Sequence, residues 1–305
     1  MEQRRRIAAY GVCRDANGRI LLVRASAESS NHGLWLLPGG GIEHGEHPAT
    51  AVVRELAEET GLMVTVVAVR DIVADVQRLR DGVTVLHQDR VIYEVDVCGG
   101  TLRDELAGST DAARWVPEVE LGELPLFPFT AEVFGLPVAP RPAVRYPAPP
   151  RVAPGADRGQ RFAAYGLATD PHDRVLLTRI APSYPGAGRW HLPGGGTDFG
   201  EQPAAALLRE LAEETDQVGR IVGLLDVTHR RVPRAVGPEG RPLDWHTVRA
   251  LYRVRVDTPT EPRVTEAYGS TADAAWFALG EARRLSLTEV AAHVLLTTNG
   301  DRAHK

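Results

Sequence analysis

The sequence predicts two copies of one mixed domain, of α+β or α/β/α type, and three observations carry that reading. The chain has 305 residues, room for two domains at roughly 150 residues each. Arg6-Ile7-Ala8-Ala9-Tyr10-Gly11 returns as Arg161-Phe162-Ala163-Ala164-Tyr165-Gly166, and the step from Arg6 to Arg161, 155 residues, also takes Trp35-Leu36-Leu37-Pro38-Gly39-Gly40-Gly41 onto Trp190-His191-Leu192-Pro193-Gly194-Gly195-Gly196. A register held this long is a duplicated domain rather than a solenoid unit. Within each copy, strand-like and helix-like stretches mix without strict βαβ alternation.

Taken in order, Ile7–Cys13 and Ile20–Arg24 are apolar runs separated by Asp15-Ala16-Asn17-Gly18, which predicts a hairpin. The second copy places Asp170-Pro171-His172-Asp173 there, other residues with the same turn chemistry. After the glycine loop, Ala49, Val52, Val53, Leu56 and Ala57 recur every three to four residues, predicting a helix from about His47 to Thr60. The β-branched runs 64–69 and 91–97 follow, matched by 221–227 and 248–256. Trp115 and Trp276 then precede a short helix near each copy's end. Pro137, Pro140, Pro142, Pro147, Pro149, Pro150 and Pro154 resist helix and sheet, so residues 137–158 read as an extended linker between a domain 1–136 and a domain 159–305.

Composition excludes several classes. Hydrophobic residues make up 43% and charged residues 25%, ordinary for a globular chain with two cores. No window approaches the ~18 apolar residues of a membrane span, and Met1-Glu2-Gln3-Arg4-Arg5-Arg6 lacks a signal-peptide core. Cys13 and Cys98, the only cysteines, cannot build a disulfide framework and fit a reducing compartment. The net charge of −5 provides no basic field for nucleic acid or an anionic membrane. The expectation is a cytoplasmic protein with neither partner.

The chemistry sits in the glycine loop and the helix after it. Glu55, Glu58 and Glu59 share one helix face at i, i+3 and i+4, where like charges repel unless a cation intervenes. Arg54 offsets part of that repulsion, and Pro38-Gly39-Gly40-Gly41 lets backbone approach an ion or ligand closely. Carboxylate and carbonyl oxygens suit a hard ion such as Mg²⁺, which keeps waters and meets substrate phosphates. Arg24 and Arg179, ending matched strands, are candidates to grip phosphate with a planar fork. Glu105 and Glu266, each ten residues before a tryptophan, are the repeated loop acids. His87, His191 and His246 are candidates to contact ligand, although lone histidines are generally satisfied locally.

Gly40, five residues, Glu46, seven residues, then Arg54-Glu55-Leu56-Ala57-Glu58-Glu59-Thr60-Gly61-Leu62 closely resembles the box of the Nudix hydrolase family. The second copy carries Gly195, Glu201 and Arg209-Glu210-Leu211-Ala212-Glu213-Glu214-Thr215 at the same spacing, then departs with Asp216 and Gln217 where the pattern expects glycine and an aliphatic residue. The resemblance covers both copies. It implies two α/β/α sandwich domains with mixed sheets that hydrolyse a nucleoside diphosphate linked to another moiety, using Mg²⁺ or Mn²⁺ and an attacking water. By motif position it implies metal ligands at Gly40, Glu55, Glu58 and Glu59, and at Gly195, Glu210, Glu213 and Glu214. The general base stays open among the box glutamates Glu55, Glu59, Glu210 and Glu214 and the loop acids Glu105 and Glu266. It also implies a small-molecule diphosphate substrate, an internal pair of domains, and dimers of the whole chain as in many relatives. Two other readings stand beside it: a ligand-sensing module on the same fold with little hydrolysis, and a pathway enzyme for a non-nucleotide diphosphate. The substrate itself is not written in the box.

Overall fold

The computed structural model describes residues 2–105, 108–138, 157–236, 242–265 and 269–297. Most of the proline-rich stretch, and Glu266, lie outside them. The first copy runs β1 (Glu2–Cys13), β2 (Ile20–Ala25), β3 (Trp35–Leu36), β4 (Gly39–Gly41), α1 (Pro48–Thr60), β5 (Leu62–Arg78), β6 (Thr84–Gly100), β7 (Thr110–Val116), a 3-10 turn (Glu118–Glu123) and α2 (Pro128–Val133). The second runs β8 (Arg158–Thr169), β9 (Arg174–Ile180), β10 (Trp190–His191), β11 (Gly194–Gly196), α3 (Pro203–Thr215), β12 (Arg220–Val236), β13 (Pro242–Arg255), β14 (Thr271–Ala278), α4 (Leu279–Ala282) and α5 (Glu289–Thr297). The mixed α/β class is as the sequence predicts. The two β-branched runs of each copy grow into longer strands, and in the first copy β5 and β6 pair from Leu62 opposite Gly100 to Arg78 opposite Val85.

The predicted hairpin needs a correction. Asp15 Oδ1 accepts the Asn17 and Arg19 N–H groups at 3.0 and 2.8 Å, so the turn forms as read. Its two strands, however, pair with other partners. β1 runs parallel to β6 and antiparallel to β4, in the order β4-β1-β6-β5, while β2 lies between β3 and β7. One bridge, Arg14 to Ile20, is all the ladder that β1 and β2 share. In the second copy the matching pair, Thr169 and Val175, counts as strand pairing and joins all seven strands into one sheet. The turn therefore hands the chain from one sheet to the next, a role that local turn chemistry does not reveal.

The helix prediction is accurate to one residue. His47 caps α1, its Nδ1 accepting the Ala49 N–H at 3.0 Å, and Pro48 opens the first turn where its missing N–H costs nothing. Gly61 ends the helix at φ 72°, the left-handed cap that glycine adopts freely. Ala51, Val52 and Leu56 are fully buried, so the apolar stripe of α1 faces the sheet and its carboxylates are left for the loop. On the other side, Ala8, Tyr10, Val12, Ile92, Phe127 and Phe129 form one core cluster. Inside it sits Arg90, 1% exposed, which donates to Asp75 at 2.6 Å and to Gln88 at 2.9 Å and lies over the Phe129 ring at 4.5 Å.

By compactness the chain divides into two units. The first is Met1–Phe162 with Asp198–Gln202 and Val227–Val248, and the second is Ala163–Thr197, Pro203–Asp226 and Arg249–Lys305. The second unit holds its own core of Leu167, Val175, Leu177, Leu192, Leu251 and Leu295. Among the described residues no helix is long and apolar enough to cross a membrane.

Candidate active site

In the first copy the glycine loop and α1 close on each other as the sequence pattern requires. Glu59, 3% exposed, reaches beneath the loop, and the Gly39 N–H donates to its Oε2 at 2.8 Å. Burial pushes the Glu59 carboxyl up to about 8, the Glu55 and Glu105 charges push the same way, and the Gly39 hydrogen bond opposes them. Glu55 packs against Gly40 so closely that a Cβ on that glycine would lie 2.4 Å from Oε2. A side chain there would push the carboxylate aside, and with glycine the carboxylate meets bare backbone. Burial also raises the Glu55 carboxyl, with Arg54 pulling it back.

Arg54 organises the rest. Its guanidinium donates twice to Glu46, at 3.0 and 2.9 Å, and to Glu55 at 2.9 Å, Glu58 at 3.3 Å and the Gly41 carbonyl at 3.1 Å. Burial works against ionised Glu46, but the Arg54 hydrogen bonds hold its carboxyl below the usual range. Glu46 also accepts the Glu43 N–H at 2.8 Å, so one arginine ties loop to helix. Glu58 is more than half exposed and turns toward solvent and Arg54.

The second copy repeats this in its own residues. The Gly194 N–H donates to Glu214 at 2.9 Å, and a Cβ on Gly195 would lie 2.6 Å from Glu210 Oε1. Arg209 donates to Glu210 at 3.1 Å and Glu213 at 2.9 Å. The hydroxyls beside the buried acids are arranged differently, and in the first copy Ser109 hydrogen-bonds Glu59. The Thr271 hydroxyl donates to Glu214, whereas the Thr110 hydroxyl donates to the loop acid Glu105 at 2.8 Å.

The structure thus brings Glu55, Glu59 and Gly40 together with Glu105 nearby, and likewise Glu210, Glu214 and Gly195. Glu58 and Glu213 stand at the rim. Arg24 and Arg179 are engaged elsewhere: Arg24 donates to Asp111 at 2.7 Å and lies over Trp35, and Arg179 pairs with Asp273 and lies over Trp190. His191 is held between Thr288, 2.6 Å from its Nδ1, and the Tyr165 ring. Sequence reasoning missed the part of Thr110 and Thr271, since a threonine opening a strand has no distinguishing pattern.

Among the described residues no three carboxylates, thiolates or imidazoles converge into a complete metal site. The donor chemistry nonetheless fits a hard divalent cation. Mg²⁺ keeps several waters and asks one or two protein carboxylates, and the buried, proton-retaining Glu59 beside Glu55 is a concentration of oxygen donors that a cation would relieve.

Comparison with known proteins agrees with the repeat. The family model for the NUDIX domain matches residues 4–134 and 159–297. The chain is 33% identical over 126 residues to an ADP-ribose pyrophosphatase of Methanocaldococcus jannaschii, covering 41% of this chain and 68% of that protein. It is 35% identical over 114 residues to a CTP pyrophosphohydrolase of Escherichia coli, covering 37% of this chain and 78% of that protein. The crystal structure of a MutT NUDIX hydrolase from Burkholderia pseudomallei is 27% identical, covers 46% of this chain and 99% of its own, and superposes with a TM-score of 0.36.

Proposed function

The chain belongs to the NUDIX domain family, and from that premise we propose that it is a metal-dependent pyrophosphohydrolase acting on a nucleoside diphosphate linked to a second moiety. The observation that carries the reading is the buried Glu59 carboxylate under Gly39 with Glu55 against Gly40, repeated by Glu214 and Glu210. The names of the relatives, pyrophosphatases and pyrophosphohydrolases of nucleotides, support the substrate class.

Glu55, Glu59 and the Gly40 carbonyl would hold Mg²⁺ or Mn²⁺ in the first copy, with Glu58 adding a ligand from the rim. Glu210, Glu214, Gly195 and Glu213 would do so in the second. Such an ion would supply charge neutralisation at phosphate oxygens and a lowered water pKa. The protein's own part is orientation and proton handling. Arg54 fixes Glu55 and Glu58 relative to the loop and leaves each carboxylate one oxygen for other partners. Glu59, whose carboxyl burial raises to about 8, or Glu105 beside it would take the proton of the attacking water. Phosphate binding by Arg24 or Arg179 would exchange the Asp111 or Asp273 carboxylate for the ligand.

The test is product chromatography on a panel of nucleoside diphosphate derivatives with Mg²⁺, Mn²⁺ and EDTA. Cleavage at the pyrophosphate, abolished by EDTA, is expected. Folded protein that turns over none of them with either metal overturns the proposal, and tight binding without turnover would assign a ligand-binding module instead.

A further inference from the structure

Two histidines do the same work at two places in the first compact unit. His246 Nδ1 accepts the Gly45 N–H at 3.1 Å, and His87 Nδ1 accepts the Gly200 N–H at 3.0 Å. Both rings are fully buried. Gly45 and Gly200 are equivalent under the repeat and have φ of 86° and 87°. Each immediately precedes a motif glutamate, Glu46 or Glu201. The arrangement is crossed: the histidine of the second copy holds the loop of the first, and the histidine of the first copy holds the loop of the second.

Further contacts repeat the crossing. Gln202 accepts the Ala74 N–H at 2.9 Å and donates to the Ala74 carbonyl. At the matching positions the His47 ring stands edge-on to His229 at 4.9 Å. An Nδ1 that accepts an amide N–H has its proton on Nε2, and both rings have a group for that side. His246 Nε2 lies 3.3 Å from His229 Nδ1. His87 Nε2 lies 3.4 Å from Asp89 Oδ1, whose carboxylate takes two hydrogen bonds from Arg5. Gln160 approaches His246 Nδ1 at 3.3 Å, the His44 ring lies 5.5 Å from it, and the Arg231–Asp244 ion pair stands close by.

From His246 the first copy's connection to the chemistry is short. Gly45 adjoins Glu46, Glu46 binds Arg54, and Arg54 binds Glu55 and Glu58. We propose that His246 and His87 are crossed positioning residues, each setting the loop before the other copy's motif helix, so that the first copy's carboxylates are not arranged by its own residues alone. The inference rests on the hydrolytic reading above for its kinetic consequence, and on geometry alone for the fastening.

The experiment uses the full chain in two backgrounds, with either Glu213→Gln/Glu214→Gln or Glu58→Gln/Glu59→Gln leaving a single competent copy. His246→Leu is expected to lower kcat of the first copy's site about tenfold or more, the scale on which lost orientation acts, with KM shifted less. His87→Leu is expected to do the same to the second copy's site. His246→Asn and His87→Asn, whose amide oxygen can stand where Nδ1 stood, should restore most of the loss. If a leucine variant does not fold, His246→Gln or His87→Gln, reaching the Nε2 position with nothing at Nδ1, takes its place. A histidine acting only as core would damage its own copy, so a loss falling mainly on the histidine's own copy overturns the proposal, as does failure of asparagine to rescue. Amide hydrogen exchange separates this from the hydrolytic reading. Residues 42–47 should exchange faster in His246→Leu and residues 197–202 faster in His87→Leu, even if no substrate is ever cleaved. Unchanged exchange in both overturns the fastening itself.

Discussion

Glu59 lies beneath the glycine loop and takes the Gly39 backbone N–H at 2.8 Å, so the carboxylate of the motif helix is anchored by the loop it serves. The anchor is a buried acid whose ordinary ionisation is resisted, up to about 8. An acid raised in the fold stabilises it below the unfolded value near 4.5, and that contribution is lost as pH rises through about 8. Glu59→Gln removes the titration and keeps the shape. In EDTA, the melting temperature of Glu59→Gln should therefore gain on wild type from pH 5 to about pH 8 and level off above it. With Mg²⁺ present its turnover should fall by about 100-fold, a loss in the range expected for a group acting in the transition state. Thermal melts across that pH range and initial rates check both halves.

Arg90 makes a second prediction. Its guanidinium is 1% exposed and donates to Asp75 at 2.6 Å and to Gln88 at 2.9 Å, over Phe127 and Phe129. Removing one partner of a buried pair leaves the other charge without compensation, at a cost of about 3–5 kcal/mol, while replacing both with apolar residues is far milder. Arg90→Met should lower the urea midpoint sharply, and Arg90→Met/Asp75→Leu should recover much of it. Equal losses in the single and double variants would show that the pair is not coupled.

The helix, its cap and the duplication were legible because they are local or repeated signals. His47-Pro48, the three-to-four spacing of Val52 and Leu56, and Gly61 each act within a turn of their neighbours. Strand partners were less legible: Asp15-Ala16-Asn17-Gly18 looks like a hairpin turn, and nothing nearby says that β1 will pair with β6 some eighty residues on. The candidate site was legible as a motif, since Gly40, Glu55 and Glu59 carry fixed spacing, and the structure brings those three together. His87, His246, Arg90 and Thr271 were not, because a buried polar residue is recognised by what it meets across the fold. A lone histidine in a strand has no sequence mark separating an acceptor for Gly45 from an ordinary core residue.

Acid should expose two histidines. Burial, with His229, His44 and Arg231 nearby, lowers His246 to about 4, and burial with Arg249 lowers His191 to about 3. Both are neutral in the fold and protonate readily when unfolded, so their contribution is whole above the unfolded value of 6.5. It declines as pH falls from 6.5 toward 4 for His246 and toward 3 for His191. The urea midpoint should drop from pH 7.5 to pH 5. Leu36 occupies the position of His191 in the first copy, so His191→Leu is the natural control and should make that drop smaller. An unchanged drop would show that His191 does not titrate in this way.

The two copies are expected to be unequal, with the first carrying more of the hydrolysis. Gly61 ends α1 at φ 72° and Asp216 ends α3 at φ 56°, the same left-handed cap with and without a Cβ. Asp216→Gly should relieve about 1 kcal/mol of strain, partly offset by glycine's freedom in the unfolded chain, and raise the melting temperature slightly. Gly61→Asp should cost more, since a Cβ there would come within 2.7 Å of the Thr101 carbonyl oxygen and Arg103 Cγ. The sites differ as well. Thr271 donates to Glu214, while in the first copy Ser109 hydrogen-bonds Glu59 and Thr110 donates to the loop acid Glu105. Glu58→Gln/Glu59→Gln should remove the greater share of turnover on the preferred substrate, and Glu213→Gln/Glu214→Gln the smaller. A larger loss from the Glu213→Gln/Glu214→Gln variant would reverse the ranking of the two sites.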